Sequence, residues 1–429
     1  MLHASFRHDP LPEKAKSNSK AERKSSAAGA SISIKAVAIL FLIALAAGCH
    51  NKVERDDVRP LLMHDVPANR LAYRFEGDTG LPSEIKTKDT AEQLEAIAND
   101  FKTNRKADAL LRTVTSPDGQ RVLALYGTAE ESNEAFRIDI YSADGKFLRN
   151  VTPPTLSCVF PETVAWAPNG NLIAFIGHRS PKPTPSPTPL DEIEPVMPSG
   201  SPTPVPSPSV APAFAPLQMF ETEQIYICNR DGYELKPLTK REGLIYFCLS
   251  WAPDSHALVA LACRENEWNA REKESRLATG RPRLITPDGK ERLLDDQSTE
   301  ACPVWSPDSS KVATGFNADI AIYDAATNKP TQARIPLREE LLSASRAFEA
   351  KMKKAMNPEA KPSDQSTPGA VEVLASLNPI VKLEWPAPRE GLTLETLYFQ
   401  TANVTLRPEN YTFVRWHRVI LSPQAEILK

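Results

Sequence analysis

Few side chains in this sequence have a type and spacing that could carry out catalysis or bind a metal. The histidines beyond residue 49 stand alone, at His50, His64, His178, His256 and His417. His178 and His417 fall in predicted strands, so they could meet at one mouth of a channel in a lyase or a metal enzyme. Isolated strand histidines are more often surface or core residues, and we expect the same of these two.

Motifs for nucleophilic, metal-dependent or phosphate-binding sites are absent from the sequence. It contains no G-x-S-x-G, no H-E-x-x-H and no glycine-rich phosphate loop. The acidic pairs Glu130-Glu131 and Asp295-Asp296 fall near predicted strand ends, and no spacing brings two of them to one site as acid and base. We therefore expect no enzyme activity, no cofactor and no metal.

The elements that would have to position any site are repeated. Four strings share one pattern: Ser116-Pro117-Asp118-Gly119, Trp166-Ala167-Pro168-Asn169-Gly170, Trp251-Ala252-Pro253-Asp254-Ser255 and Trp305-Ser306-Pro307-Asp308-Ser309. Each combines turn residues, in which Pro fixes φ and Asn, Asp or Gly favours a reversal, with a following apolar run. The expected roles are structural for Ser116, Pro117, Asp118, Gly119, Trp166, Pro168, Trp251, Pro253, Asp254, Trp305, Pro307 and Asp308.

A second repeated pattern alternates with the first along the chain. It occurs as IDIYSADGKFLRNVT, IYICNRDGYELKPLT, RLITPDGKERLLDD, IAIYDAATNKPTQARI and RVILSPQAEILK. Together the two patterns predict four-stranded antiparallel units at a repeat of about 40–50 residues. Such sheets bury both faces when they are arranged radially, so the sequence predicts an all-β fold, a β-propeller.

These strings resemble the propeller repeats of the TolB family over roughly Leu110–Lys429. The resemblance implies the propeller fold. It does not extend to the compact α/β domain that precedes the blades in TolB, because only His50–Ala109 is available here. Similar propellers also occur fused to serine peptidase domains and in some sugar lyases.

The propeller is expected to occupy residues 68–429 and to carry two insertions. The segment Thr90–Lys102 is predicted to be helical, and the region around it either forms an irregular sixth blade or completes the last blade; we favour six blades over five. Residues 181–216 hold 13 of the 39 prolines and predict a disordered insertion, with a docking ligand or a glycosylated stalk as alternatives. Residues 338–379 predict a helix, Arg338–Met356, followed by a linker.

The first 48 residues have the pattern of a secretory signal. A basic stretch precedes the apolar run AVAILFLIALAA, which is followed by Gly48-Cys49. The cysteine in this position resembles the lipidated first residue of a lipoprotein, with an ordinary signal or an uncleaved anchor as alternatives. Residues 49–67 are then a flexible tether, and Cys49 would anchor the protein in the cell envelope, on the periplasmic side and preferably at the outer membrane.

Cleavage before Cys49 would leave 44 basic and 51 acidic residues, a formal net charge of −7. An acidic chain is not suited to nucleic acid. The remaining cysteines are Cys158, Cys228, Cys248, Cys263 and Cys302, an odd number that leaves at least one unpaired within the chain. Cys248 and Cys302 both lie three residues before a blade tryptophan, which we interpret as core packing of equivalent positions.

The function that fits these features best is binding. We expect a lipid-anchored envelope scaffold or recognition module whose partners are envelope proteins, with a glycan or peptide as a further possible ligand. The alternative is a propeller lyase or hydrolase that acts on a glycan or peptide. Convergence of three or more His, Asp, Glu or Arg side chains at one mouth of the channel would favour the enzyme.

Overall fold

The computed structural model describes residues 62–80, 85, 93–128, 135–180, 217–274, 276–326, 330–356, 379–388, 395–402 and 414–424. These form five antiparallel sheets, which we number as blades in the order of the chain. Strand β1 (Ala72–Glu76) comes first in sequence but belongs to the last blade. The predicted fold class, an all-β propeller of four-stranded blades, is confirmed by this arrangement.

Each blade is a meander with one defined strand order. Blade 1 contains β2 (Ala109–Thr115), β3 (Arg121–Gly127), β4 (Arg137–Ser142) and β5 (Phe147–Asn150). Blade 2 contains β6 (Leu156–Val159), β7 (Ala165–Trp166), β8 (Leu172–Arg179), β9 (Gln224–Asn229) and β10 (Lys236–Pro237). Strands β6 and β7 both pair with β8, and together they form the first strand of blade 2.

The next two blades follow the same plan. Blade 3 contains β11 (Leu244–Trp251), β12 (Leu258–Arg264), β13 (Arg281–Ile285) and β14 (Glu291–Leu293). Blade 4 contains β15 (Val304–Trp305), β16 (Lys311–Phe316), β17 (Asp319–Asp324) and β18 (Gln332–Pro336).

Blade 5 is built from both ends of the described chain. It contains β19 (Ile380–Glu384), β20 (Thr396–Ala402) and β21 (Val414–Ser422), and β1 pairs with β21 as the fourth strand. Of the two roles considered for the N-terminal region, the structure therefore shows completion of the last blade. The count of six blades is not confirmed by the five sheets of the described residues.

Consecutive blades share apolar cores, because the middle strands are apolar on both faces. Leu123 and Ile138 of blade 1 pack with Phe175 of blade 2, and equivalent clusters join blades 2 and 3, 3 and 4, and 4 and 5. In a sheet with one solvent-exposed face, buried and exposed residues alternate along each strand. The strands β3, β8, β12 and β16 are instead buried on both faces, and most of their residues are apolar.

The described residues include three α-helices outside the blades: α1 (Glu95–Asn104), α2 (Glu265–Lys273) and α3 (Arg338–Met356). The prediction for α3 is confirmed at both ends. Helix α1 begins later than the predicted Thr90–Lys102. Its first residue follows Leu94, whose backbone N–H donates to Thr113 Oγ1 at 3.0 Å. A contact to blade 1, which sequence patterns do not reveal, fixes that start.

Helix α1 covers the face of blade 1 that points away from blade 2. Ile97 and Phe101 pack there against Val122, Ala124, Tyr126 and Tyr141. Short 3-10 helices occur at Met63–Asp65, Ala68–Arg70 and Pro161–Thr163. Within the described residues, no helix combines the length and the apolar character needed to cross a membrane.

The meander gives the propeller two different ends. The first-to-second strand connections, together with the third-to-fourth connections of blades 1–4, lie on one side, which we call the turn face. The other connections lie on the opposite side, which we call the loop face. Helices α2 and α3 and the chain position of the 181–216 insertion belong to loop-face connections, whereas α1 packs along the side of blade 1.

Candidate functional site

The repeated tryptophans lie at the seams between blades. The Nε1–H groups of Trp166, Trp251 and Trp305 donate to a backbone carbonyl in the first strand of the preceding blade, at 3.0, 3.3 and 3.2 Å. The first strands of successive blades are therefore neighbours around the centre of the ring. All three tryptophan side chains are mostly buried and hold blades together.

The other repeated residues form the turns of the turn face. Ser116 donates its hydroxyl to Asp118 Oδ1 at 2.6 Å, and the same pair recurs as Ser306 and Asp308 at 2.6 Å. The Ser116 hydroxyl, the Gln120 N–H and the nearby Arg230 lower the pKa of Asp118 to about 2. The structure places Ser116, Pro117, Asp118, Gly119, Pro168, Pro253, Asp254, Pro307 and Asp308 in these turns. Cys49 lies outside the described residues.

The two strand histidines do not come together. His417 is buried in blade 5, where its ring stacks between Phe75 and Phe399. Its Nδ1 accepts the Asp78 N–H at 3.1 Å, so the proton of the neutral ring is on Nε2, which donates to Thr401 Oγ1 at 3.1 Å. Burial and Arg415 lower the pKa of His417 to about 4.

His178 ends the second strand of blade 2, on the loop face. Its Nδ1 is 3.6 Å from Glu223 Oε1, and burial raises the pKa of that carboxyl group. Next to it, Arg179 closes the base of the 181–216 insertion: its N–H donates to the Phe220 carbonyl at 2.6 Å, and its guanidinium group pairs with Glu221. The His178–Glu223 pair therefore lies at the base of the 181–216 insertion in blade 2, whereas His417 lies in blade 5.

Of the two acidic pairs, only Asp295-Asp296 lies in the described part of the chain, and Asp295 is not the solvated charge that its place near a strand end suggested. Asp295 is buried and accepts from Tyr323, Gln332 and Arg334 at 2.8, 3.1 and 2.5 Å, whereas Asp296 is exposed. Glu130-Glu131 lies outside the described residues. Among the described residues, no group of three or more His, Cys, Asp and Glu side chains is arranged to hold a metal ion.

The interpretation of Cys248 and Cys302 as packing residues is wrong, because they form a disulfide. It joins the first strand of blade 3 to the segment before the first strand of blade 4, with Cα atoms 5.4 Å apart. Equivalent positions on neighbouring first strands are close enough to bridge, which the sequence argument overlooked. Cys158, Cys228 and Cys263 are buried and are not part of this disulfide.

An aromatic cluster lies on the loop face next to this disulfide. Trp268 of α2 packs against Phe160 and Phe247, with ring centroids 5.8 and 5.5 Å apart, and Cys248 contacts the same cluster. Phe160 has a φ of 59°, a left-handed conformation that is uncommon for a bulky residue. The tertiary contacts of the cluster thus hold a strained backbone in place.

Two cavities lie at the edges of the blades. One of about 370 Å³ is on the outer side of blades 2 and 3 and includes Lys236, Lys240, Arg241 and Glu291. Glu291 is already bound by Arg241, Arg283 and Tyr246, so this cavity offers mainly flexible lysines.

The second cavity, of about 330 Å³, opens on the loop face where blades 3, 4 and 5 meet, and we call it the seam pocket. It is lined by Thr279, Gln297, Ser298, Thr299, Glu300, Phe316, Asn317, Pro379 and Ile380. Most of its polar groups are neutral amides and hydroxyls. Glu300 forms an ion pair with Arg271 of α2.

Sequence reasoning missed the seam pocket, since its residues form no motif. The one usable signal was the Asn317-Ala318 connection, only two residues long between two predicted strands. Such a short turn, beside blades that carry helices, leaves a recess on the loop face.

No protein-family model matches the chain, and no curated protein matches its sequence. Several solved structures are similar to it at low identity. A candidate TolB from Agrobacterium tumefaciens is 13% identical over 53% of this chain and 67% of its own, with a TM-score of 0.29. An oligogalacturonate lyase in complex with manganese is 10% identical over 74% of this chain and 66% of its own, with a TM-score of 0.33.

A third similar structure is prolyl oligopeptidase B from Galerina marginata. It is 10% identical over 65% of this chain and 37% of its own, with a TM-score of 0.34. This chain thus spans about two thirds of the candidate TolB and the lyase, and less of the peptidase.

The prediction that the chain is not an enzyme is corrected by these similarities. The similar structures include a lyase and an oligopeptidase, so membership of this fold does not exclude catalysis. The chain is a β-propeller with TolB-like repeats.

Proposed function

We propose that this chain is a recognition module of the cell envelope that binds a partner protein through its loop face. The observation that carries the proposal is the asymmetry of the two ends of the propeller. Among the described residues, the turn face consists mainly of short, internally hydrogen-bonded turns. The loop face carries α2, α3 and the base of the proline-rich insertion, whereas α1 packs along the side of blade 1. Specificity resides in such loops, held by a rigid frame.

Helix α2 is the candidate for direct contact, because side-chain contacts anchor it to blade 3 and to the aromatic cluster. Arg281 anchors it through Glu267 at 2.9 and 3.0 Å, and Trp268 packs into the aromatic cluster. Its outward side chains, including Asn269 and Glu272, are exposed. A partner therefore meets a helix that loses little conformational entropy on binding.

The envelope location is supported by the disulfide and by the first 48 residues. Disulfides form and persist in oxidising compartments such as the periplasm. The secretory pattern ahead of Cys49 supports export, and acylation of Cys49 would tether the propeller to a membrane, for which we favour the outer membrane.

Site-specific crosslinking in cells tests the proposal. A photoreactive amino acid is placed at Asn269 or Glu272 on the loop face and, as matched controls, at Gln120 or Asn171 on the turn face. We expect one discrete crosslinked protein from the loop-face positions only, and its loss when Cys49→Ala mislocalises the chain. Equal crosslinking from both faces, or crosslinking from the turn face alone, would contradict the proposal.

A further inference from the structure

The seam pocket owes its shape to an unusually short connection. The second and third strands of blade 4 are joined by Asn317 and Ala318 alone, and Asn317 has a φ of 48°. The corresponding connection of blade 3 contains α2, and the chain between blades 4 and 5 contains α3. The recess between these taller elements is a formed cavity in the size range of small-ligand sites.

The backbone around the pocket is already paired. Gly280 and Thr299 exchange two hydrogen bonds of 2.9 and 2.8 Å, and the Ile380 N–H donates to the Asn317 carbonyl at 2.7 Å. A peptide that bound by adding a strand would need free backbone donors and acceptors along an edge. The pocket therefore favours a ligand that is recognised by side chains.

The side chains that remain are of one chemical kind. Within the described part of the chain, no hydrogen bond occupies the side chains of Gln297, Ser298 or Asn317, all of which are exposed. Amide and hydroxyl groups both donate and accept, as the hydroxyl groups of a sugar do. Beside them, the partly exposed Pro379 supplies apolar surface for the C–H face of a sugar ring. Phe316 and Ile380 form the buried floor of the pocket, and the Arg334 guanidinium group covers the Phe316 ring at 4.0 Å.

The charge of the pocket selects among such ligands. Among the described residues that line the pocket, Glu300 is the one with a charge, and Arg271 neutralises it from α2. These described lining residues offer no cation to an anionic sugar, and a carboxylate faces it. A neutral saccharide meets neither an unpaired charge nor repulsion.

We propose that the seam pocket binds a neutral saccharide unit of an envelope glycan, through Gln297, Ser298, Glu300 and Asn317. This site is independent of the partner-protein surface proposed above, because its ligand lies in the recess and not on the outward side of α2.

The test is saturation-transfer NMR and calorimetry on the folded exported chain with four probes. Chitotetraose and cellotetraose are the neutral saccharides, trigalacturonate is the anionic one and tetra-alanine is the peptide. We expect binding of at least one neutral saccharide and weaker or no binding of the other two probes.

Three variants locate the site. Asn317→Gly keeps the left-handed backbone and removes the amide, Gln297→Ala removes the second amide, and Glu300→Gln removes the charge. Each amide deletion is expected to weaken saccharide binding about fivefold, the effect of one lost hydrogen bond. Asn171→Ala on the turn face is the matched control and should leave binding unchanged.

The proposal is overturned if neither neutral saccharide binds, if the peptide or the anionic probe binds more tightly, or if Asn317→Gly and Gln297→Ala bind as the unchanged chain does. Each variant is first shown to melt within a few degrees of the unchanged chain. The crosslinking experiment contains no added saccharide, so either proposal can fail without the other.

Discussion

The Ser255 hydroxyl accepts a hydrogen bond from the backbone N–H of Asn169 at 2.9 Å, which links the turn of blade 3 to the turn of blade 2. One blade further along, Ser309 accepts from the Asp254 N–H at 3.0 Å. The φ values of Ser255 and Ser309 are 68° and 61°, respectively. The two serines occupy the position that Gly119 and Gly170 hold in the earlier turns. The hydrogen bond between blades offsets the cost of a side chain in left-handed backbone.

Replacement of Ser255 should separate these two effects. Ser255→Ala removes the hydrogen bond and keeps the backbone strain, so we expect a loss of about 1–2 kcal/mol in the free energy of unfolding. Ser255→Gly also removes the bond but relieves about 1 kcal/mol of strain, and should be close to neutral. Urea denaturation of both variants measures the difference, and equal effects of Ala and Gly would refute this account.

Loss of the Cys248–Cys302 disulfide should lower stability markedly. The bridge spans 54 residues, and the chain-entropy estimate for a loop of that length is about 4 kcal/mol. The double variant Cys248→Ser/Cys302→Ser should therefore unfold at a clearly lower denaturant concentration than the oxidised chain.

Reduction provides the control for that variant. Cys158, Cys228 and Cys263 are buried, and burial raises the pKa of Cys228 and Cys263 to about 12. Among the cysteines of the described blades, mild reduction should expose only Cys248 and Cys302 to a thiol reagent, as measured by mass spectrometry. Labelling of the buried thiols at the same rate would show that the fold had already opened.

His417 should make the fold sensitive to acid. Its pKa is lowered to about 4, against about 6.5 in an unfolded chain. Between these values the unfolded chain binds a proton that the folded chain does not. The stabilisation is thus complete above pH ~6.5 and is lost as the pH falls towards 4, by up to ~3 kcal/mol.

Thermal melts of the unchanged chain and His417→Gln between pH 7.5 and 4.5 measure this effect. Gln can keep hydrogen bonds to the Asp78 N–H and Thr401 but does not titrate. The melting temperature of the variant should fall less over this range, and parallel curves would rule out His417 as the origin.

Gly315 should be intolerant of a side chain. A Cβ atom there would lie 2.6 Å from Ile380 Cγ2 and 3.2 Å from Leu383 Cδ1, at the contact between blades 4 and 5. We expect Gly315→Ala to destabilise the fold by about 1–3 kcal/mol through overpacking. Gly127→Ala is the control, since its nearest atom is 3.9 Å away.

A double-mutant cycle with Ile380→Ala identifies the clash. If overpacking is the cause, Gly315→Ala should cost less in the Ile380→Ala background than alone. Additive losses would point to a different origin.

The sequence was sufficient for the blades because each repeat combines turn chemistry and apolar runs within one short segment. Trp166, Trp251 and Trp305 and the turns after them could be aligned without a structure. The start of α1 could not be predicted, since it depends on Thr113, and neither could the Cys248–Cys302 pairing, which depends on how closely two first strands approach.

The candidate site was less accessible from sequence. Gln297 and Glu300 lie in the connection between blades 3 and 4, whereas Asn317 lies in a turn within blade 4, and they meet only because the fold brings these two connections together. Common polar residues in loops give no signal of their own. Only the left-handed turn at Asn317 had a local pattern that could be recognised.

The pairing of β1 with β21 also determines when the protein can finish folding. Among the described strands β1 comes first in the chain, and its partner β21 comes last. Until both are in place, Leu397 and Phe399, which are fully buried in the completed sheet, belong to a sheet that lacks two of its four strands. A chain shortened before residue 414 therefore leaves β1 without a partner and blade 5 incomplete.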